Sequence, residues 1–423
     1  MRAALPAFAL PGCLGSAVTG TRQPSWVCCH LGAREHYVVP RALNQAGRLS
    51  QLITDAWSDA RTIEASIAAT LSTRFGQRFH KDLAGANVRA LSRSFIAHEI
   101  QWRLQGRESW DLLMLRNEWF QSEAAGILPD LPAGRTMLFA HSYAAEAIFV
   151  EGKRRGWTTV LGQIDPGPEH FLTQERVAAD RPEFGPPPEA PPAIYFDKWR
   201  HECELADWIV VNSDWSRESL IRAGVPEPKL RTMALPYERD PAHGFEREYP
   251  PAFSGQRPLR VLFVGTASVA KGVADLLLAF DRLDGAPIEL SIVGDRGLDV
   301  PDRFLHHPRI HWLGRVDRTA VMDHYRASDL LMFPSHSDGF GMAQIEAQGW
   351  GLPIVASRNC GRVVRDGETG LLLDEVSPLA IAAALGRAMS EPHTLARFAR
   401  ASRSTPAPGI DALASGLIAL EDA

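Results

Sequence analysis

The chain has 423 residues, 45% of them hydrophobic and 22% charged, which is ample for packed cores and too long for one ordinary domain, so two domains are expected. Its 45 basic and 50 acidic residues leave a formal charge of -5 with no long run of either sign, which argues against nucleic acid as a partner. No stretch approaches the ~18 apolar residues of a membrane helix, and Cys13, Cys28, Cys29, Cys203 and Cys360 show neither metal-ligand spacing nor an even disulfide framework, so they read as ordinary thiols of a reducing, cytoplasmic compartment.

Residues 1–24 carry Arg2 and the apolar segment AALPAFAL, but Pro6 and Pro11 interrupt it, and the stretch reads as a disordered or misassigned tail rather than a signal peptide. From Ser25 strand and helix alternate: SWVCCH reads as a strand, Leu31 to Tyr37 as a loop, Val38 to Gln45 as a helix and QLITD as a second strand. Ala56 to Gly106 is mostly helical in pattern. Arg89, Arg93, Arg103 and Arg107 recur near one face there, either as a solvated basic face or as a peripheral membrane contact. DLLMLR, TMLFAH and TTVLGQID read as further strands, the last two separated by the helical stretch Ala144 to Arg155. The proline-rich segment Asp165 to Pro192 is expected to be an extended loop. A helix, the strand DWIVVNS, a helix beginning near Ser216 and the short strand LRTMALP complete a first domain over residues 25–240, and residues 241–258 read as a linker.

The alternation restarts over residues 259–400 with strands LRVLFVG, IELSIVG, RIHWLG, LLMFPS and LPIVAS, and residues 401–423 read as a tail or a helix crossing back. Val273, Leu276, Leu277 and Phe280, like Val321, Met322 and Tyr325, follow helical spacing. The expected fold is therefore α/β, two doubly wound Rossmann-like domains, with ligands bound outside the carboxyl ends of the strands.

After LLMFPS the chain reads SHSDGFGMAQIEAQGWGLPIVAS, which sets Asp338 and Glu346 eight positions apart around a glycine loop and a short helix. Gly339 and Gly341 permit close backbone approach, and N–H groups from Gly341 to Ala343 at a helix start attract an anion such as diphosphate. Glu346, one turn further on, suits a ribose diol because an ionised carboxylate only accepts hydrogen bonds.

These residues resemble the retaining glycosyltransferases of family 4, of GT-B fold, whose signature S-x-x-E-G-F-G-x-x-x-x-E-A-x-x-x-G-x-P-V-V-A-S places an acidic residue and a glutamate around the donor. The resemblance continues through FVGTASVAKGVADLLLAF, LSIVGDRG, IHWLGRVDRTAVMDHYRASDLLMFPS and DGETGLLL, covering roughly Leu259 to Met389. It implies that Glu346 binds the donor ribose, that Asp338 stands near the transferred sugar where glutamate is usual, and that Gly339, Phe340, Gly341 and Met342 face sugar and diphosphate. It further implies that Lys271 neutralises the leaving diphosphate. The turns Gly265–Thr266, Gly294–Asp295 and Gly314–Arg315 would line the donor, the last two around the base. Thr266 departs from the arginine usual in the family, removing a bidentate phosphate partner unless Arg315 or Arg34 compensates.

In the first domain, His141 ends TMLFAH at the mouth of the sheet and is read either as a sugar-facing residue or as a core-edge histidine. His30, His36 and His170 are alternatives to it. Arg34 and His36 in LGAREHY, and Asp165 after a later strand, are acceptor- or phosphate-side candidates. No DxD-like pair and no zinc-spaced His/Glu cluster occurs, so no metal and no cofactor are expected beyond a nucleotide-sugar donor. The function expected is retaining transfer of a hexose-type sugar to an unknown saccharide, lipid or small-molecule acceptor. A non-catalytic nucleotide-sugar binder and an epimerase of the same layout are the alternatives, and a dehydrogenase is disfavoured because G-x-G-x-x-G follows neither first strand.

Overall fold

The structure, a computed structural model, describes residues 24–58, 78–238, 245–405 and 407–423. Two parallel sheets organise it. The first contains β1 (Ser25–His30), β2 (Leu49–Thr54), β3 (Val88–Ala90), β4 (Thr136–His141), β5 (Thr158–Gly162), β6 (Trp208–Val211) and β7 (Leu230–Thr232), in the order β3-β2-β1-β4-β5-β6-β7. The second contains β8 (Leu259–Val264), β9 (Ile288–Val293), β10 (Ile310–Gly314), β11 (Leu330–Phe333), β12 (Ile354–Ser357) and β13 (Gly370–Leu373), in the order β10-β9-β8-β11-β12-β13. Apolar runs such as TMLFAH, buried at all six positions, need helices on both faces of a parallel sheet. The fold is GT-B. Strand order reverses between β1 and β4 and again between β8 and β11, so the loops following those four strands flank the two crevices where ligands of such sheets bind.

Three local readings are corrected. DLLMLR is part of the helix Ser109–Ile127, not a strand, because Leu112, Met114 and Leu115 join Trp119 and Phe120 in covering the first core. Asp165 to Pro192 is not an extended loop: Pro168 opens the helix Pro168–Asp180, where a proline lacking its N–H costs nothing, and a turn at Pro182–Phe184 follows. The region from Ala56 to Gly106 contains, among the described residues, a turn, the strand β3 and the helix Ser92–Leu104; residues 59–77 of it and the first 23 residues lie outside the described residues. The strand β13 was not expected. Arg89, Arg103 and Arg107 lie 3.7, 4.0 and 3.5 Å from Asp130, Glu99 and Asp111, so this basic surface is largely compensated.

The helix Ile410–Ile418 packs on the helix Val38–Gln45 of the first domain, where Leu413, Leu417 and Leu420 share a core with Trp26 and Leu43. Trp26 Nε1 donates to Glu421 at 2.7 Å. In the other direction, Phe184 leaves the first domain and is buried in the second core, stacked on Phe304 at 5.9 Å. Arg181 beside it donates to the fully buried Asp275 at 2.6 Å. Each domain thus contributes a segment to the other, and the cleft is held by packed apolar contacts rather than by a linker alone.

Phe184→Ala is expected to lower stability by about 3 kcal/mol, the usual cost of removing a buried aromatic ring. Leu172→Ala, on the helix that precedes Phe184 but 60% exposed, is the control and is expected to be near neutral in denaturant unfolding. Equal midpoints for the two variants would show that Phe184 does not join the domains.

Candidate functional site

The loops after β8 and β11 meet closely. Gly272 has φ 70°, and a Cβ there would lie 1.9 Å from Pro334 O, so only glycine lets these loops touch. That contact brings Lys271 to Asp338 as an ion pair, with Lys271 Nζ also 5.4 Å from the centre of the Phe333 ring. The loop is fixed by its backbone: Asp338 N–H donates to Asn359 O at 2.9 Å, and Asp338 Oδ1 accepts from Phe340 N–H at 3.3 Å.

The helix Met342–Gly349 starts at Gly341 without a side-chain cap, and the N–H groups of Met342 and Ala343 meet no acceptor among the described residues. An open helix start beside a lysine is a positive corner suited to a phosphate group. Glu346 lies one turn inside and accepts from the buried Tyr325 hydroxyl at 2.9 Å. At the ends of β8 and β9, a Cβ on Gly294 would fall 2.1 Å from Gly265 O, so these two turns pack backbone to backbone. Asp295 and Arg315 at the tips of β9 and β10 pair with each other, and Thr266 is exposed beside them. Of the two arginines expected to compensate for Thr266, Arg315 is therefore already engaged by a carboxylate, and Arg34 lines pockets of the first domain with Leu31 and Asn117.

The first domain closes over this corner. Gly339 O accepts from Ser213 Oγ at 2.5 Å and from Ser216 Oγ at 3.2 Å, and a Cβ on Gly339 would sit 3.1 Å from Ile164 O. His170 Nδ1 lies 3.2 Å from Ser337 Oγ, which also accepts from Trp215 Nε1 at 3.3 Å. Burial holds the His170 imidazole below its ordinary range, with Lys271 adding to this and Asp165 and Asp338 opposing it. Of the sequence candidates, His170 is thus the histidine at the Lys271–Asp338 corner. The helix that carries it was hidden because its proline-rich flanks resembled a loop.

His141 is placed differently. Its Nδ1 faces Gly162 O at 3.3 Å and its Nε2 faces His30 Nε2 at 3.2 Å, so both ring nitrogens are taken up inside the first domain. Asp165 forms a turn: its Oδ1 accepts from Tyr143 Oη at 2.8 Å, Gln163 Nε2 at 3.0 Å and Gly167 N–H at 2.8 Å. Glu35, His36 and Tyr37 are three successive non-glycine residues with φ 43°, 52° and 60°, a conformation costing about 1 kcal/mol or more per residue. The fully buried Tyr37 pins this loop, donating to Ala56 O at 3.3 Å, and the loop projects Arg34 and leaves His36 exposed. The residues that sequence reasoning missed are Tyr325, Asn359, Ser213 and Ser216. None sits in a motif of its own, because each acts through a contact formed only in the fold.

Residues 258–391 match the family model of glycosyl transferases group 1. Curated relatives include D-inositol 3-phosphate glycosyltransferases. The one from Xylanimonas cellulosilytica is 34% identical over 161 residues, 34% of this chain and 37% of the relative. The one from Rhodococcus jostii is 47% identical over 155 residues, 33% and 34% of the two chains. The chain thus spans about a third of the length of these two relatives. Among solved structures, HepE of Anabaena in complex with UDP and glucose superposes with a TM-score of 0.60 at 13% identity, covering 95% of this chain and 100% of that one. Sucrose-phosphate synthase from Thermosynechococcus elongatus gives 0.61 at 17%, covering 95% and 98%. At these identities the superpositions show the shared GT-B fold.

The buried histidine pair makes stability pH-dependent. Burial pushes His30 down from 6.5 to about 3, with Arg34 adding to the effect, and burial, His30 and Arg34 push His141 down as well. The unfolded chain takes up protons below about pH 6.5 that the folded chain refuses, so this contribution is complete above that pH and is lost as pH falls, by about 1.4 kcal/mol per unit for each histidine. His30→Gln is expected to flatten the fall in unfolding free energy between about pH 6.5 and 4. An unchanged slope would remove His30 as its source.

Proposed function

We propose that the chain is a glycosyltransferase that moves a hexose-type sugar from a nucleoside diphosphate to an acceptor hydroxyl, with retention and without a metal. The observation that carries this reading is the uncapped start of the helix Met342–Gly349 with Lys271 beside it and Glu346 one turn inside. Diphosphate takes the N–H groups of Met342 and Ala343, the ribose diol donates to Glu346, and the sugar lies against Gly339 and Asp338. Gly294–Asp295 and Gly314–Arg315 face the base. The match of residues 258–391 to glycosyl transferases group 1, and the UDP and glucose held by the Anabaena neighbour, support the same donor class.

In the transfer step the acceptor oxygen forms its bond to the anomeric carbon as the bond from that carbon to the diphosphate oxygen breaks, on the same face. The acceptor proton passes to the departing diphosphate. Lys271, released from Asp338 by the incoming anion, neutralises the developing charge, and its companion Asp338 is left to accept from a sugar hydroxyl. The closed contacts of Ser213, Ser216 and His170 with the glycine loop keep water from the anomeric carbon. One observation favours a second reading, a nucleotide-sugar binder without turnover: Thr266 supplies no cation and Arg315 is held by Asp295.

With a panel of UDP- and GDP-sugars, Glu346→Ala is expected to weaken donor binding by about 10- to 100-fold, the value of a hydrogen-bonded charged group. Lys271→Ala is expected to lower kcat by about 100-fold or more, and a chelator is expected to leave the rate unchanged. Donor affinity indifferent to Glu346→Ala would sink the assignment. Binding with no transfer to any acceptor would establish the second reading, and a rate abolished by chelation would overturn the metal-free step.

A further inference from the structure

The first domain holds a cavity of about 280 Å³ that the donor site does not use. Apolar side chains, among them Leu31, Ile96, Ile100 and Leu113, line it together with charged ones that include Arg34 and Asp55. Most of these charges are matched internally. Arg78 pairs with Asp55 at 2.9 Å, Arg116 donates to Glu99 at 2.7 Å, and Arg103 lies 4.0 Å from Glu99. Two groups remain. Arg34 makes no hydrogen bond or ion pair among the described residues, and Asp55 Oδ2, on a side chain 1% exposed, has no hydrogen-bond partner. A buried acceptor atom without a donor costs roughly 1–3 kcal/mol, so the cavity is built for a ligand offering a hydroxyl to Asp55 and an anionic group to Arg34.

The cavity also has a direction. A smaller pocket shares Leu31, Arg34 and Asn117 with it and continues past His141, Tyr143 and Tyr195 to Ile164, whose carbonyl abuts Gly339 of the donor loop. The helix Glu146–Arg154 beside this passage offers no anion site of its own, because Glu202 already accepts from Tyr143 N–H at 2.6 Å and Ala145 N–H at 2.7 Å at its start. Arg34 is thus the free cation on the path among the described residues. At the opposite end the wall turns apolar and opens to solvent: Ile100 is 51% exposed and Leu113 38%, with Leu104, 84% exposed, one helical turn beyond Ile100. The unpaired cation lies toward the donor, while at the outer end the charges of Glu99 and Arg103 face each other and leave exposed apolar side chains, which is not a uniform sugar site.

We infer that the acceptor is an amphiphile with an anionic, hydroxyl-bearing head: the head sits at Arg34 and Asp55, and the apolar chain leaves over Ile96, Ile100 and Leu113. This rests on the transferase reading and names its acceptor class, which differs from a free phosphorylated polyol by the need for the chain. The probes are octyl phosphate below its micellar concentration, octyl glucoside and inorganic phosphate, titrated calorimetrically into the full chain with UDP present. Octyl phosphate is expected to bind at least tenfold more tightly than either comparison ligand. Arg34→Gln and Ile100→Glu, both at exposed positions, are each expected to weaken it at least fivefold while UDP affinity stays unchanged. Inorganic phosphate binding as tightly would show a purely polar site, octyl glucoside binding as tightly would remove the anion, and indifference to both substitutions would mean unspecific adsorption; each overturns the inference. Failure of octyl phosphate with UDP binding intact defeats this inference alone, whereas loss of UDP binding in the unaltered chain defeats the transferase reading.

Discussion

The site depends on one backbone contact, the approach of Gly272 to the carbonyl of Pro334. Any Cβ at residue 272 would overlap that oxygen, so the loops after β8 and β11 would have to separate. Lys271 would then no longer reach Asp338, and the uncapped helix start at Gly341 would lose the cation beside it. Parallel sheets place their ligand loops at a reversal of strand order, but the reversal alone only brings the loops near. The missing side chain closes the last ångströms and turns two neighbouring loops into one positive corner.

Charge is then distributed unequally between two equivalent features. Both domains end a strand at a switch point and follow it with a helix, β4 with Glu146–Arg154 and β11 with Met342–Gly349. In the first, Glu202 comes from a distant helix and satisfies the orphan N–H groups; burial pushes its carboxyl up to about 8 while those same donors pull it down. In the second, no side chain among the described residues caps the helix. A helix start left open costs hydrogen bonds in the free protein, and that cost is reasonable only where a ligand regains them. The same topology thus yields one structural terminus and one binding terminus, and the difference lies in two side chains, Glu202 and Gln121, the latter accepting from Ala147 N–H at 2.8 Å.

The second half was legible in the sequence because its signals are local. The glycines of SHSDGFG, the lysine of AKG and the spacing of Asp338 to Glu346 lie within a few residues of the strand ends that display them. β8 to β12 appeared as apolar runs between turn residues, and only the short β13, half of it partly exposed, escaped notice. The first half is less legible because its signals depend on contacts distant in sequence. DLLMLR is apolar enough for a strand and is helical only because Trp119 and Phe120 extend its buried face. Pro168 reads as a breaker unless it is known to occupy the first turn, where it initiates. His141 ended a strand at the sheet mouth, as the sequence indicated, but its ring turned inward to His30, a residue 111 positions earlier.

The segment around Pro168 bears on how the two domains cooperate. The helix Pro168–Asp180 looked like a loop because of its proline-rich flanks, and its contacts are shared between the domains: Phe171 packs against Trp110, Tyr195 and Phe196 of the first, while in the turn that follows Phe184 is buried against Phe304 of the second and Arg181 reaches Asp275. Asp275 also accepts from His336 Nε2 at 2.8 Å, and His336 immediately precedes Ser337, the residue His170 faces. One buried carboxylate therefore holds both the segment that crosses between domains and the loop that carries Asp338. Opening the cleft would expose Phe184, separate Arg181 from Asp275 and withdraw His170 from Ser337 together. Losses that occur together favour two arrangements, closed and open, over a continuum. The transfer proposed for this cleft, which must exclude water while it proceeds and admit a new donor afterwards, needs that kind of two-state arrangement.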